Sequence, residues 1–247
     1  MRFVWVIALA ACGRVGFDAR SDARSGAPSD APGAVDVSAD ALPADLIAYF
    51  PLDGDYHDVV GGPAGTCTGC PTPVAGHRGM AMHFDGATAC VTIADVGQLS
   101  PATLTISIWA NEDSPLGVRE CQVSKRVDVG GTPYNSWQLE TTTTATQESF
   151  TSNHGGAGND QITANNAITP GVWQHLVATY DGFNEQIYVD GVLVDGAGNS
   201  AQLNYDTNPA VLGCDDNAGF SEHYQGALDE LRIYDRALSA AEVQALP

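Results

Sequence analysis

The sequence predicts an all-β protein: a two-sheet antiparallel sandwich of about residues 46–247 that ends in one short helix. Three observations carry this. Turn residues punctuate the chain at short intervals, with apolar alternation between them. Asp190-Gly191 links two alternating segments, Ile187-Tyr-Val and Val192-Leu-Val, as a two-residue type I′ turn. No long helical period occurs before Ser239, which starts the S-x-x-E pattern of a capping box with Glu242.

The elements are taken in chain order. Arg2 supplies a minimal positive region and Phe3 to Ala11 a short apolar one, so residues 1–11 read as a targeting segment. That segment is too short to span a bilayer. Leu9-Ala-Ala-Cys12 resembles a bacterial lipobox, which implies cleavage before Cys12 and its acylation. Gly13 follows, not Asp, so nothing resembles an inner-membrane retention signal. The expected location is outside the cytoplasm, lipid-anchored at the outer membrane or cell surface of a Gram-negative bacterium. Residues 12–45 are Ala, Asp, Ser, Pro and Gly with few bulky apolar side chains. Such a stretch buries too little surface to repay chain ordering and reads as an acidic tether.

Beyond it, Leu104, Ile106 and Ile108 share one face of a strand, with Thr103, Thr105 and Ser107 opposite. In the last strand Asp229 falls in phase with Leu231 and Ile233, with Glu230, Arg232 and Tyr234 on the other face. This places a carboxylate on the apolar side, where it is costly unless paired or bound to metal. Leu238 and Val243 flank the capping box as a hydrophobic staple. Trp109 and Trp173 read as packing between the sheets. Trp137 follows the polar loop Gly130-Gly-Thr-Pro-Tyr-Asn-Ser and reads as a stacking platform for a sugar. Asp215-Asp216-Asn217 forms an acidic loop cluster, solvated by default and otherwise a ligand contact.

The formal net charge is −20, from 10 basic and 30 acidic residues. The single lysine, Lys125, leaves no basic patch to neutralise phosphates, which excludes nucleic acid as a partner. With Cys12 acylated, Cys67, Cys70, Cys90, Cys121 and Cys214 remain. An oxidising compartment implies disulfides. Cys121 and Cys214 both sit at loop–strand junctions and are expected to pair, with Cys90 joined to Cys67 or Cys70. No G-x-S-x-G, H-E-x-x-H or P-loop pattern occurs, and the six histidines have no ligand spacing. His175 alternates within a strand and reads as structural.

Six segments in order carry a family resemblance. They are Leu46-Ile-Ala-Tyr-Phe-Pro-Leu-Asp-Gly, Gly79-Met-Ala-Met-His-Phe-Asp-Gly, the two Trp-bearing strands Leu104-Thr-Ile-Ser-Ile-Trp-Ala and Gly171-Val-Trp-Gln-His-Leu-Val-Ala-Thr-Tyr-Asp-Gly, the hairpin Ile187-Tyr-Val-Asp-Gly-Val-Leu-Val, and Gly226-Ala-Leu-Asp-Glu-Leu-Arg-Ile-Tyr-Asp. The chain resembles LamG-like jelly-roll domains of the concanavalin A-like lectin/glucanase architecture. The resemblance implies a jelly roll with its first and last strands adjacent. It also implies a structural calcium site at Asp229, which Asp53 and Asp58 would approach from the other end of the chain. A turn cap or an arginine pair are the alternatives for Asp229. The catalytic E-x-D-x-x-E strand of the family's glucanases is missing. The expectation is therefore no catalytic residues and a tethered, non-catalytic binding module for a glycan or a surface protein. The alternatives are a structural or adhesion component and, less favoured, a divergent glycosidase.

Overall fold

The computed structural model describes residues 42–247 apart from 115, 145, 157, 218 and 219. The leader, Cys12 and the tether up to residue 41 lie outside the described residues. The strands run β1 (Leu46–Phe50), β2 (Thr66–Thr68), β3 (Thr72–Ala75), β4 (Met80–Asp85), β5 (Cys90–Ile93) and β6 (Leu104–Glu112). Next come β7 (Glu120–Val129), β8 (Thr132–Thr141), β9 (Glu148–Ser152), β10 (Asp160–Ala164), β11 (Gln174–Tyr180) and β12 (Asn184–Val189). The last are β13 (Val192–Gly198), β14 (Ala210–Leu212), β15 (Asp216–Asn217), β16 (Phe220–Ser221) and β17 (Gln225–Tyr234), followed by α1 (Ala240–Gln244).

Two antiparallel sheets face each other. The first has the order β13-β12-β11-β6-β17-β4-β3, with β1 also paired to β17. The second has the order β10-β9-β8-β7-β14-β5-β2, and β15-β16 is a separate ribbon. The first and last strands are adjacent as expected, with Phe50 opposite Leu231 and Tyr49 opposite Arg232. Strand alternation builds the core. Leu104, Ile106, Ile108 and Ala110 of β6 face Trp137, Leu139, Phe150 and Ile162 of the second sheet in one buried cluster. The Asp190-Gly191 turn has positive φ at both residues (51° and 75°), which a type I′ hairpin requires. Ser239 caps α1 through the complete capping box with Glu242. Leu238 and Val243 are buried with Tyr49, Tyr188 and Tyr234 in a small second core on the outer face of the first sheet.

The cysteine pairing differs from the expectation. The bridges are Cys67–Cys70 and Cys90–Cys214, with Cα separations of 5.0 and 5.3 Å, and Cys121 is free and buried. The cause is strand order. β14 lies between β7 and β5, and Cys214 at its end is joined to Cys90 at the start of β5. Cys121 stands opposite Glu140 beside a bulge, and burial pushes its thiol far above the usual range.

Two further bulges move side chains from one face to the other. In β17 the register shifts between Asp229 and Arg232, and Glu230 adopts φ 56°. Asp229 therefore pairs with Trp109 on the outer face, not with the Leu231–Ile233 row. In β8 the register shifts between the residues opposite Lys125 and Arg126, so Ser136 is the extra residue. Asn135 then faces outward, and Trp137 joins Leu139 in the core with no exposed surface. The sugar-platform expectation for Trp137 is thus overturned. Trp109 is also not core. It is half-buried on the outer face, stacked on His77 (centroids 3.4 Å apart) and on His175 (4.9 Å).

Candidate functional site

The outer face of the second sheet is polar because its alternation places Gln138, Glu140, Thr151 and Gln161 opposite the core residues Trp137, Leu139, Phe150 and Ile162. A cleft of about 420 Å³ opens on this face. Tyr134, Asn135 and Gln138 of β8, Gln161 of β10, and Arg119 line it together with Asp215 and Glu222. Asp215 and Glu222 exchange backbone N–H···O bonds of 3.0 and 3.2 Å, which holds the two residues side by side at the cleft.

Its side chains are tied from behind. Gln138 Nε2 donates to Glu222 (2.9 Å), and Asn135 Nδ2 donates to Gln138 Oε1. Gln161 Nε2 and Thr151 Oγ1 donate to Glu140 Oε1 at 2.9 and 3.1 Å, and Arg119 pairs with the same oxygen. Arg126 and Ser124 hold Asp215. Two buried acceptors, Asn135 Oδ1 and Glu140 Oε2, have no partner. Burial pushes the Glu222 carboxyl up to about 7, aided by the neighbouring charge of Glu140. Burial also raises Asp215 and Glu140, against the pull of Arg126 and Arg119 respectively. Rigid amides and one aromatic side chain suit a ligand that brings hydroxyl groups.

Of the ligand contacts expected from sequence, Asp215 lines the cleft. Asp216 is adjacent but exposed, bonded to Ser221 and His223. The side chain of Asn217 is outside the described residues. Sequence reading missed Tyr134, Asn135, Gln138, Gln161 and Glu222. The signal for Gln138 was its phase opposite Trp137 and Leu139; the others depend on which strands become neighbours.

Asp53 and Asp229 converge on the turn that links β3 to β4. Asp229 Oδ2 accepts from Arg78 N (2.9 Å), and Asp53 Oδ1 accepts from Met80 N (2.6 Å). A Cβ on Gly76 would meet Asp229 Oδ2 at 2.6 Å, and one on Gly79 would meet Asp53 Oδ1 at 2.3 Å. Both positions therefore need glycine, and at Gly79 φ is also positive (63°). Asp229 is buried and its Oδ1 has no partner. Burial pushes its carboxyl up to about 7, with the charges of Glu230 and Asp53 adding to the rise. Arg232 and Arg236 pair elsewhere, with Glu230 and with Asp45 and Glu242. The orphaned oxygen and the glycine cradle fit a hard cation at Asp53 and Asp229. Asp58 does not join them. Its carboxylate is buried and fully used, accepting from the backbone N–H groups of Tyr49, Val60 and Gly62 and from Gln98. Among the described residues no three His, Cys, Asp or Glu side chains form a metal group, so neutral oxygens would complete such a shell.

These carboxyls set a pH dependence. Glu112, Glu222 and Asp229 are each raised to about 7 in the fold, chiefly by burial. Between about pH 4 and 7 the folded chain holds protons that the unfolded chain has released, so the stability they contribute falls as pH rises. His175, lowered to about 4 by burial, and His77, also lowered by burial, oppose this, while burial raises Glu120, Glu140, Glu148 and Asp215 as well and adds to it. In chelator, the melting temperature is expected to be higher at pH 5 than at pH 8. Calcium at pH 8 should restore part of the loss, and Asp229→Asn should reduce that restoration. A melting temperature that climbs from pH 5 to pH 8 would contradict the assignment.

The architecture and the matched sequence agree on a class. The chain belongs to the concanavalin A-like lectin/glucanases superfamily, whose Laminin_G_3 model matches residues 85–244. No curated protein sequence matches it. The fold is similar to the binding domain of Paraclostridial Mosquitocidal Protein 1 (TM-score 0.66, 14% identity, covering 81% of this chain and 51% of that one). It is also similar to domain 4 of AbnA, an extracellular GH43 arabinanase of Geobacillus stearothermophilus in complex with arabinotriose (TM-score 0.59, 20% identity, 81% and 97%). A third is the binding domain of botulinum neurotoxin DC in complex with SialylT (TM-score 0.61, 12% identity, 82% and 50%). The chain spans about half the length of the toxin domains it matches. At these identities the likeness is one of fold.

Proposed function

We propose that this protein is a non-catalytic binding module that takes a glycan in the cleft on the outer face of the second sheet. The observation that carries the reading is a polar cleft lined by the amides of Asn135, Gln138 and Gln161, with one aromatic wall, Tyr134. Sugar hydroxyls would hydrogen-bond to these amides, and a sugar ring would lie against the phenol. Support also comes from the arabinanase domain bound to arabinotriose and the toxin domain bound to SialylT, which share the fold. The Cys12 anchor and the acidic tether would hold this module at the outer membrane or cell surface. That part rests on Leu9-Ala-Ala-Cys12. Calcium at Asp53 and Asp229 would tie the β3–β4 turn to the end of β1 and the bulge of β17, a structural role away from the cleft.

Glycan-array screening with and without calcium tests the reading. Binding to a defined set of glycans is expected, and Gln138→Ala is expected to weaken it at least tenfold, about 1.4 kcal/mol. If no glycan is retained while an immobilised surface protein is, the protein-binding alternative replaces it.

A further inference from the structure

We propose that the interior of the sandwich holds a site for a hard divalent cation between Glu112 of β6 and Glu148 of β9. It is separate from the Asp53–Asp229 turn and independent of the glycan reading. The inward-facing row of β6, Ile106, Ile108 and Ala110, ends in Glu112. On the opposite sheet Leu139 is followed in phase by Thr141, and Phe150 is preceded in phase by Glu148. The two carboxylates thus project between the sheets at one end of the core. Their residues are 3% and 0% exposed.

The bonding there is incomplete in one sense only. Thr141 Oγ1 lies 2.6 Å from Glu112 Oε2 and 3.4 Å from Glu148 Oε2, and its single proton cannot serve both fully. Gln122 Nε2 donates to Glu148 Oε2 and Thr141 Oγ1 at 3.2 and 2.9 Å. Glu112 Oε1, Glu148 Oε1, Gln122 Oε1 and the Tyr224 hydroxyl remain without partners, and Gln122 and Tyr224 are also completely buried. Three of the four orphans are pure acceptors. Protons on the carboxyls would cancel charge but leave acceptors in excess of donors. Water would supply donors but no charge.

Among the described residues neither Glu112 nor Glu148 joins an ion pair; the groups acting on them and on Tyr224 are Glu120, Asp113 and Glu140. Glu120 is itself held by the backbone N–H groups of Leu116 and Gln225, and Asp113 is bound to His83. A buried, uncompensated carboxylate pair demands neutralisation. Two carboxylates, an amide oxygen and two hydroxyls form an all-oxygen set, which suits calcium or another hard cation and not a soft metal.

The test uses the full chain with Asp53→Asn and Asp229→Asn, which silence the terminal turn. After stripping with chelator, the protein is dialysed against CaCl2 at pH 8, and bound calcium and melting temperature are measured. The expected result is one retained calcium ion per chain and a calcium-dependent rise in melting temperature. Adding Glu148→Gln, or Glu112→Gln if the first fails to fold, should abolish both. Because it removes a buried charge, it should also raise the melting temperature in chelator. No bound calcium in the turn-silenced chain, or binding that survives both glutamine variants, overturns the proposal. So does a melting temperature that recovers on acidification but not with calcium, since protons would then do the neutralising.

Discussion

Replacing Cys90 and Cys214 together with alanine is expected to cost about 4–5 kcal/mol of unfolding free energy, from the loop-closure entropy of a cross-link of this length. The bridge spans a sequence separation of 124 and staples β5 to the end of β14 inside the second sheet. The Cys67–Cys70 bridge, with a separation of 3, is expected to contribute only about 2 kcal/mol by the same relation. Urea unfolding of the two double variants separates them. Equal losses, or a larger loss for the short bridge, would mean that the long one does not constrain the unfolded chain. Cys121→Ser should leave non-reducing peptide maps unchanged, because the thiol is free.

Trp137→Ala carries the second large effect. Among the described residues Trp137 is the largest fully buried side chain, packed with Leu139 and Phe150 between the sheets. Truncating it removes apolar burial and leaves a cavity, at a cost of about 3–5 kcal/mol. Its indole Nε1 has no partner in the core, so Trp137→Phe should be far milder. Tyr134→Ala, on the cleft wall, should instead cost little stability and act on ligand binding. A stable Trp137→Ala protein that loses ligand would restore the surface-platform role that the structure removes.

Much of the frame was legible because single residues announce it. Asp190-Gly191 marks its hairpin, Ser239 with Glu242 marks the helix start, and Leu104, Ile106 and Ile108 mark the core row of β6. What escaped depends on bulges and strand order. One extra residue at Ser136 separates Asn135 from Trp137, and Glu230 at positive φ turns Asp229 away from Leu231. No local residue type signals either phase change. The disulfides required knowing that β14 lies between β7 and β5. The cleft assembles Arg119, Tyr134, Gln161 and Glu222 from distant segments, so no short motif represents it. Glu112 was readable: it continues the alternation of Ile106, Ile108 and Ala110.

On this reading the outer face of the second sheet, and no other surface, holds the glycan. Calorimetric titration of the best array glycan into the wild type, Gln138→Ala, Tyr134→Ala and Asp229→Asn proteins tests it most directly. The predicted result is at least tenfold weaker binding for both cleft variants, about 1.4 kcal/mol each, with unchanged affinity for folded Asp229→Asn. Full affinity in Gln138→Ala and Tyr134→Ala, with loss in Asp229→Asn, would contradict it and move the ligand to the β3–β4 turn.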